Sequence, residues 1–255
     1  MKEQQIKEIQ IWGIKINPLR KSEIVDLVDQ HISGNGRTFH LTGVNPETIS
    51  QAQEDSALRK AINSSDIVNI DNMLVVTFLR LLRFRIPERA ACPDIFERLL
   101  TVADSKGYSV YFLGAQEEIL QSMKNKLVIK YPGLKIIGSR NGYYEPDEEP
   151  AIVEEIGNLK PDMLFIALPT PQKELFIDQN KQRLGTRFAF GVGGAFDVQA
   201  EKVKRAPRWL RNIGLEGLHR AIQNPGNYGN RYVKYYLPFT RLFMKELFRR
   251  PRMLR

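Results

Sequence analysis

The sequence predicts an α/β fold: a mainly parallel sheet with helices on both faces, followed by a basic helical C-terminal appendage. Three observations predict it. Over the first 200 residues, short apolar runs alternate with amphipathic stretches, the pattern of strands joined through helices. The apolar runs are rich in Val, Ile and Phe and mostly end at Gly, Asn or Pro, as strands that feed loops do. Beyond residue 200 the chain turns basic and aromatic, and prolines recur.

In chain order, the expected strands are Ile11–Ile16, Thr38–Thr42, Asp66–Ile70, Ser109–Leu113, Leu134–Ile137, Met163–Leu168 and Phe188–Val192. Between them, Pro46–Ile62 carries Ile49, Ala52, Leu58 and Ile62 at helical spacing, and Glu117–Tyr131 carries Ile119, Leu120, Met123 and Leu127. Residues 1–200 read as one catalytic-sized domain and residues 201–255 as the appendage. Pro207, Pro225, Pro238 and Pro251 divide that appendage into short helices. Ligands of such sheets sit outside the carboxyl ends of the strands, so the loops after each strand are where chemistry belongs.

Bulk properties narrow the function. A chain of 255 residues with 42% apolar content can bury one large core. Cys92 is the single cysteine, which excludes a disulfide framework within one chain and fits a reducing cytoplasm. Residues 1–10 lack the apolar centre of a secretory signal, and no uncharged apolar run nears the roughly 20 residues of a membrane span. The expectation is a cytoplasmic protein that does not cross a membrane. Its charge is lopsided: residues 201–255 hold 14 Lys and Arg against 3 Asp and Glu, while residues 1–200 hold 24 against 26. The excess interleaves with Trp209, Tyr235, Tyr236, Phe243 and Phe248, a mixture that suits an anionic membrane surface. A nucleic-acid partner is the rival, but it leaves the α/β body unexplained and no recognised motif accompanies it, so none is expected.

Five post-strand segments carry candidate chemistry. In Thr42-Gly43-Val44-Asn45-Pro46, Asn45 caps a helix or, with the free amides of that helix, meets an anion. Asp71 closes a Val/Ile strand and serves either as a helix cap or as a base for an attacking hydroxyl. Arg89, in Pro87–Asp94, either grips a diphosphate or pairs with Glu88 or Asp94 at the surface. Cys92 reads as a packed small residue. Lys173 and Glu174 fall in the first turn of a helix after Pro169 and Pro171. Gly191, Gly193 and Gly194 allow close backbone approach to a nucleotide, with Phe196 and Asp197 beside them. Neither a dinucleotide fingerprint nor a P-loop is present.

Taken together, the pieces TGVNPETI, IDNMLVV, RAACPDIFERLL, YFLG, YPGLKIIGSRNGYY, PTPQKELFI, GVGGAFDVQAEKVKRAP and GLEGLHRAIQNP resemble the WecG/TagA/CpsF family of bacterial glycosyltransferases, over roughly Ile11 to Phe239. The resemblance implies a Rossmann-like core and inverting, metal-independent transfer of a sugar from a nucleotide donor, usually UDP-linked, to a polyprenyl-diphosphate-linked acceptor. No cofactor and no metal ligand are implied; the UDP-sugar is a substrate. Asp71 matches the family's proposed general base, which favours base over cap. Thr42, Gly43, Asn45, Arg89, Asp94, Lys173 and Glu174 fall to the substrate pocket. Gly114, Gly191, Gly193, Gly194, Phe196, Asp197 and, in the appendage, Arg220 fall to the nucleotide. Four departures stand out: Gly43 replaces a Thr found in some members, Cys92 a Gly, Lys173 a Gln, and Asn72 a Gly, the last attributed to tolerance of left-handed angles. The basic, aromatic tail adds the expectation of a protein bound peripherally to the inner face of the membrane; oligomerisation stays open.

Overall fold

The computed structural model describes residues 6–34, 36–203, 206–207, 210 and 232–249. The chain opens with a hairpin, β1 (Ile9–Ile11) and β2 (Ile14–Ile16), where a single strand was expected. Trp12 and Gly13 both take positive φ, the requirement of a tight two-residue hairpin turn. Then follow α1 (Lys21–Ile32), β3 (Phe39–Val44), α2 (Pro46–Glu54), α3 (Ser56–Ser64) and β4 (Ile67–Ile70). The single helix expected over Pro46–Ile62 breaks at Asp55, whose carboxylate accepts from the N–H groups of Ala57 and Leu58 and so starts a second helix.

Next come α4 (Met73–Leu81), α5 (Cys92–Lys106), β5 (Ser109–Gly114), α6 (Glu117–Lys130), β6 (Lys135–Arg140), α7 (Glu149–Leu159), β7 (Met163–Ala167), α8 (Gln172–Asn180), β8 (Phe188–Gly191) and the short α9 (Ala195–Gln199). A π-helical turn, Tyr232–Tyr236, leads into α10 (Leu237–Arg249).

Six strands form one parallel sheet in the order β4-β3-β8-β7-β5-β6, so every carboxyl end lies at the same edge. Strict alternation sorts the side chains between two faces. Leu41, Ile67, Val110, Phe112, Met163, Phe165, Phe188 and Phe190 face α1, α5, α6 and α9. On the opposite face, Val44, Val68 and Ile70 meet α2, α3 and α4, while Tyr111, Leu113, Leu164 and Ile166 meet α7 and α8. Helices therefore cover both faces of an α/β, Rossmann-like sheet.

The crossing from α4 to α5 decides where the site lies. These helices sit on opposite faces, so residues 82–91 must pass round the outer edge of β4. That edge is sealed as they pass: Ala90 donates its N–H to Ile70 O at 3.0 Å, and Asn17 brackets Val68 with two 2.8 Å bonds. An exposed edge strand invites pairing with other chains, and this one is closed.

The appendage's described helix packs on the body. Phe239 and Phe243 of α10 enter the core beside Trp12, Phe78 and Leu82. Phe78 stacks on both rings, at centroid distances of 5.4 and 3.9 Å, and Trp12 meets Phe239 edge-on at 5.2 Å. Ser50 Oγ donates to Tyr235 O at 2.7 Å. A fully buried ring of this kind costs about 3–5 kcal/mol to truncate to Ala. Phe239→Ala should therefore lower the urea-unfolding free energy by about that amount, whereas truncating the exposed Phe248 should leave it nearly unchanged; equal effects would mean that α10 does not dock as described.

Candidate active site

β3, β4 and β8 are neighbours in the sheet, and their carboxyl ends carry Asn45, Asp71 and the Val192–Gly194 turn. The chain leaves β3 toward α2 on one face and leaves β8 toward α9 on the other. A crevice opens where connections part in this way, the usual ligand position in such sheets.

Asp71 is half-buried at the lip of this crevice. Its backbone N–H extends the β3–β4 ladder to Val44 O at 3.0 Å, and its carboxylate Oδ1 accepts from the Cys92 N–H at 2.7 Å. That amide belongs to the first turn of α5, where helix N–H groups lack partners of their own. The cap of α4 is Asn72, whose side chain accepts from the Leu74 N–H at 2.8 Å. Asn72 has φ −114° and ψ 137°, ordinary extended angles, so the left-handed explanation for Asn at this position is replaced by a capping one. Asn45 caps α2 through the Thr48 N–H at 3.0 Å.

Beneath Asp71 the packing is tight. A Cβ at Gly43 would lie 2.2 Å from Cys92 Sγ, so Gly at 43 and Cys at 92 occupy one shared volume. The side chain missing from β3 at Gly43 is supplied by Cys92 of α5. Burial pushes the Cys92 thiol's pKa well up, and the Asp71 carboxylate adds to the effect, so Cys92 is a packed thiol and no nucleophile. Asn69, on the same face of β4, donates to Ala90 O at 2.6 Å and faces the thiol at 3.8 Å.

Lys173 and Glu174 form a buried pair at 2.7 Å, with Glu174 only 1% exposed. Lys173 Nζ also donates to Thr170 Oγ1, which in turn meets Glu174 Oε1 at 3.1 Å. The Lys173 stem crosses β8 where Gly191 offers no side chain; a Cβ there would sit 3.0 Å from its Cδ. Among the described residues Glu174 Oε2 has no hydrogen-bond partner, and Glu174 lines a small gap with His40, Thr42 and Ile177.

Other predicted residues land in different roles. The Thr42 hydroxyl is spent internally, on His40 Nε2 at 2.9 Å and Ser65 Oγ at 2.8 Å. Phe196, expected beside a nucleotide, is instead a core residue packed against Phe96 and Phe112. Gly114 is needed for a different approach than expected: a Cβ there would fall 2.7 Å from the Ala167 carbonyl, so β7, not a ligand, fills the space. Gly193 has φ +53° and open space where a Cβ would stand. Val192 and Ala195 donate their N–H groups to Ile166 O and Val192 O. Asp197 follows in α9. Arg89 lies half-buried on the segment that rounds β4. Asp94 and Glu88 both face Lys21 at 3.6 Å, tying the start of α5 to α1. Arg220 lies outside the described residues. A cleft of about 1130 Å³ lies between the start of α1 and residues 80–87, and no predicted site residue lines it.

Sequence reasoning passed over a buried polar group behind the site. His40 bridges Thr42 and Ser65, and burial, aided by the Lys181 charge, pushes its pKa down to about 3. Asp66 beside it is held down to about 2: burial alone would raise it, but bonds from Arg37, the His40 N–H and Lys181 outweigh that. The spacing of His40 and Thr42, two apart on one strand face, was the available signal.

The family-level comparison agrees with this geometry. The profile described as the Glycosyl transferase WecG/TagA/CpsF family matches residues 9–253. The chain belongs to that family. It is a glycosyltransferase. A relative from Bacillus subtilis (strain 168), named N-acetylglucosaminyldiphosphoundecaprenol N-acetyl-beta-D-mannosaminyltransferase, is 31% identical over 204 residues, 80% of this chain and 79% of its own. A protein of the same name from Bacillus spizizenii (strain ATCC 23059 / NRRL B-14472 / W23) is 29% identical over 224 residues, 84% of this chain and 86% of its own. Family membership accounts for the α/β body that a nucleic-acid reading leaves unexplained.

Two outcomes follow from the packing. Gly43→Thr should destabilise by about 1–3 kcal/mol through overpacking, and adding Cys92→Gly should recover most of it; additive losses in urea unfolding would deny the shared volume. Acid should weaken the fold through His40. Below pH 6.5 the unfolded imidazole takes up a proton that the folded one refuses until about pH 3, so stability present above that window is lost as pH falls through it. The slope from one such group is about 1.4 kcal/mol per pH unit. His40→Asn should flatten the decline between pH 6.5 and the acid range where Asp66 begins to protonate, and an unchanged slope would assign it to other groups.

Proposed function

We propose that this glycosyltransferase moves an N-acetylhexosamine, N-acetylmannosamine foremost, from a UDP donor to a polyprenyl-diphosphate-linked N-acetylglucosamine, with inversion and without a metal. The names of the two Bacillus relatives support the acceptor and the sugar. One observation carries the chemistry: Asp71 stands at the crevice lip, oriented by the Cys92 N–H, while Asn72 takes over the capping that would otherwise occupy it.

In this reading the acceptor hydroxyl oxygen attacks the anomeric carbon as its proton passes to the Asp71 carboxylate. The bond from that carbon to the donor's diphosphate oxygen breaks, and UDP leaves with the electron pair. Arg89, the amides of Gly193 and Gly194, and the α2 N-terminus beside Asn45 oppose the charge that develops on the leaving diphosphate. Lys173 lies beneath this edge, but Glu174 and Thr170 hold its ammonium, so its charge is met within the protein and is not counted toward the diphosphate.

The acceptor's lipid ties the reaction to a membrane. Among the described residues no helix is long and apolar enough to cross one. α10 and the turn before it instead show Val233 at 70% exposure and Phe248 at 72%, beside Lys234, Arg241, Lys245 and Arg249. An apolar stripe flanked by basic side chains suits the interface of an anionic bilayer. Peripheral docking at the cytoplasmic face is the location this reading requires. Tyr236, at the base of α10, reaches Asn72 Nδ2 at 3.5 Å and so adjoins the residue next to Asp71.

Removal of a general base costs about 10²–10⁴-fold. Asp71→Asn should therefore lose turnover on that scale while UDP-N-acetylmannosamine still raises its melting temperature as it does in the wild type. Near-normal transfer by Asp71→Asn would remove the base assignment, and the absence of any shift with UDP-sugars in the wild type would remove the donor.

A further inference from the structure

The α4 turn continues the basic and apolar surface of α10 onto the catalytic body. Residues 73–87 contain Arg80, Arg83 and Arg85 and no Asp or Glu. Backbone bonds and one arginine define the turn that ends α4. Leu82 and Phe84 donate their N–H groups to Phe78 O and Leu79 O, both at 3.0 Å, and Arg83 takes φ +66° to allow it. Arg80 braces the turn by donating to Ile86 O and Pro87 O. The result is a division of sides: Leu82 and Phe84 pack inward, while Leu81, at 59% exposure, Arg83 and Arg85 point out.

This turn and α10 are joined through the Phe78–Phe239–Phe243 stack. Residues 232–249 contribute Lys234, Arg241, Lys245 and Arg249 against Glu246 alone. Two adjoining elements thus hold seven basic residues and one acid, with large apolar side chains exposed among them. We infer that the α4 turn and α10 form a single docking face for an anionic bilayer, with Leu81, Val233 and Phe248 entering the headgroup boundary and Arg83 and Arg85 meeting lipid phosphates. The inference rests on the membrane reading above and extends it from the appendage to the catalytic body. It also sets a height. α4 begins two residues after Asp71 and runs nine residues, about 13 Å at 1.5 Å per residue. Docking by its far end holds Asp71 within reach of a sugar-diphosphate head projecting from the lipid.

The test is co-sedimentation of the full chain with phosphatidylcholine vesicles, with and without phosphatidylglycerol. Each basic residue near such a surface contributes about 1 kcal/mol, so Arg83→Gln/Arg85→Gln should bind the anionic vesicles about thirtyfold more weakly. Leu81→Ser should weaken binding several-fold, and neither variant should change the melting temperature or transfer to a soluble acceptor analogue. Equal binding by wild type and Arg83→Gln/Arg85→Gln would overturn this inference alone. A wild type that ignores anionic vesicles would overturn the membrane reading with it. Concentration-dependent self-association, or salt-sensitive DNA binding, lost in the same variant without any vesicle effect would reassign the face to a second copy or to nucleic acid.

Discussion

The hydrogen bond from the Cys92 N–H to the Asp71 carboxylate is the interaction on which the architecture turns. α4 and α5 lie on opposite faces of the sheet, so the chain has to round the edge of β4 between them. Asp71 closes that crossing from the strand side and Cys92 from the helix side. Ala90 and Asn69 fasten the last residues of the crossing to β4 itself. One carboxylate therefore satisfies an orphan helix amide just where the chain has rounded the sheet edge, at the carboxyl end of β4. Its orientation comes from the fold, before any substrate binds, which is the preorganisation that a proton acceptor needs.

The floor of the site follows from the same economy of space. Where strands end, missing side chains admit neighbours: Cys92 fills the place of a Gly43 side chain, and the Lys173 stem passes over Gly191. Lys173 finds Glu174 buried beside it, so its charge is met within the protein. Behind the floor, neutral His40 and charged Asp66 hold β3 and β4 together through polar bonds on a face otherwise packed with apolar side chains.

Much of this was legible in the residues. Each strand of the main sheet was visible as a Val/Ile/Phe run, and the rule that ligands gather at carboxyl ends led directly to Asn45, Asp71 and Gly193. Other features were hidden for physical reasons. The apolar period of Pro46–Ile62 continues through the break at Asp55, and only the capping chemistry of Asp-Ser-Ala marks it. The hairpin at Trp12 hides inside an alternating run because a turn needs only two positive-φ residues, one of them a tryptophan. The strand order depends on which helices share a face, which no local pattern encodes. Gly-Gly-Ala-Phe reads as a ligand loop, yet the burial of Phe196 is a tertiary fact, and Gly114 was glycine for the sake of β7. The cap of α4 is Asn72 and not Asp71, whose carboxylate meets the Cys92 N–H across the crossing, a partner that no local pattern encodes.

The central claim is that the carboxyl edge of β3, β4 and β8 holds the donor with its sugar toward Asp71. A crystal structure of the chain with UDP bound tests it most directly. The account predicts a diphosphate over the β3 and β8 loops, within hydrogen-bond reach of the Gly193 and Gly194 amides, with Asp71 still bonded to the Cys92 N–H and open on the sugar side. UDP seated away from this edge, or with its diphosphate against the Asp71 carboxylate, would contradict it.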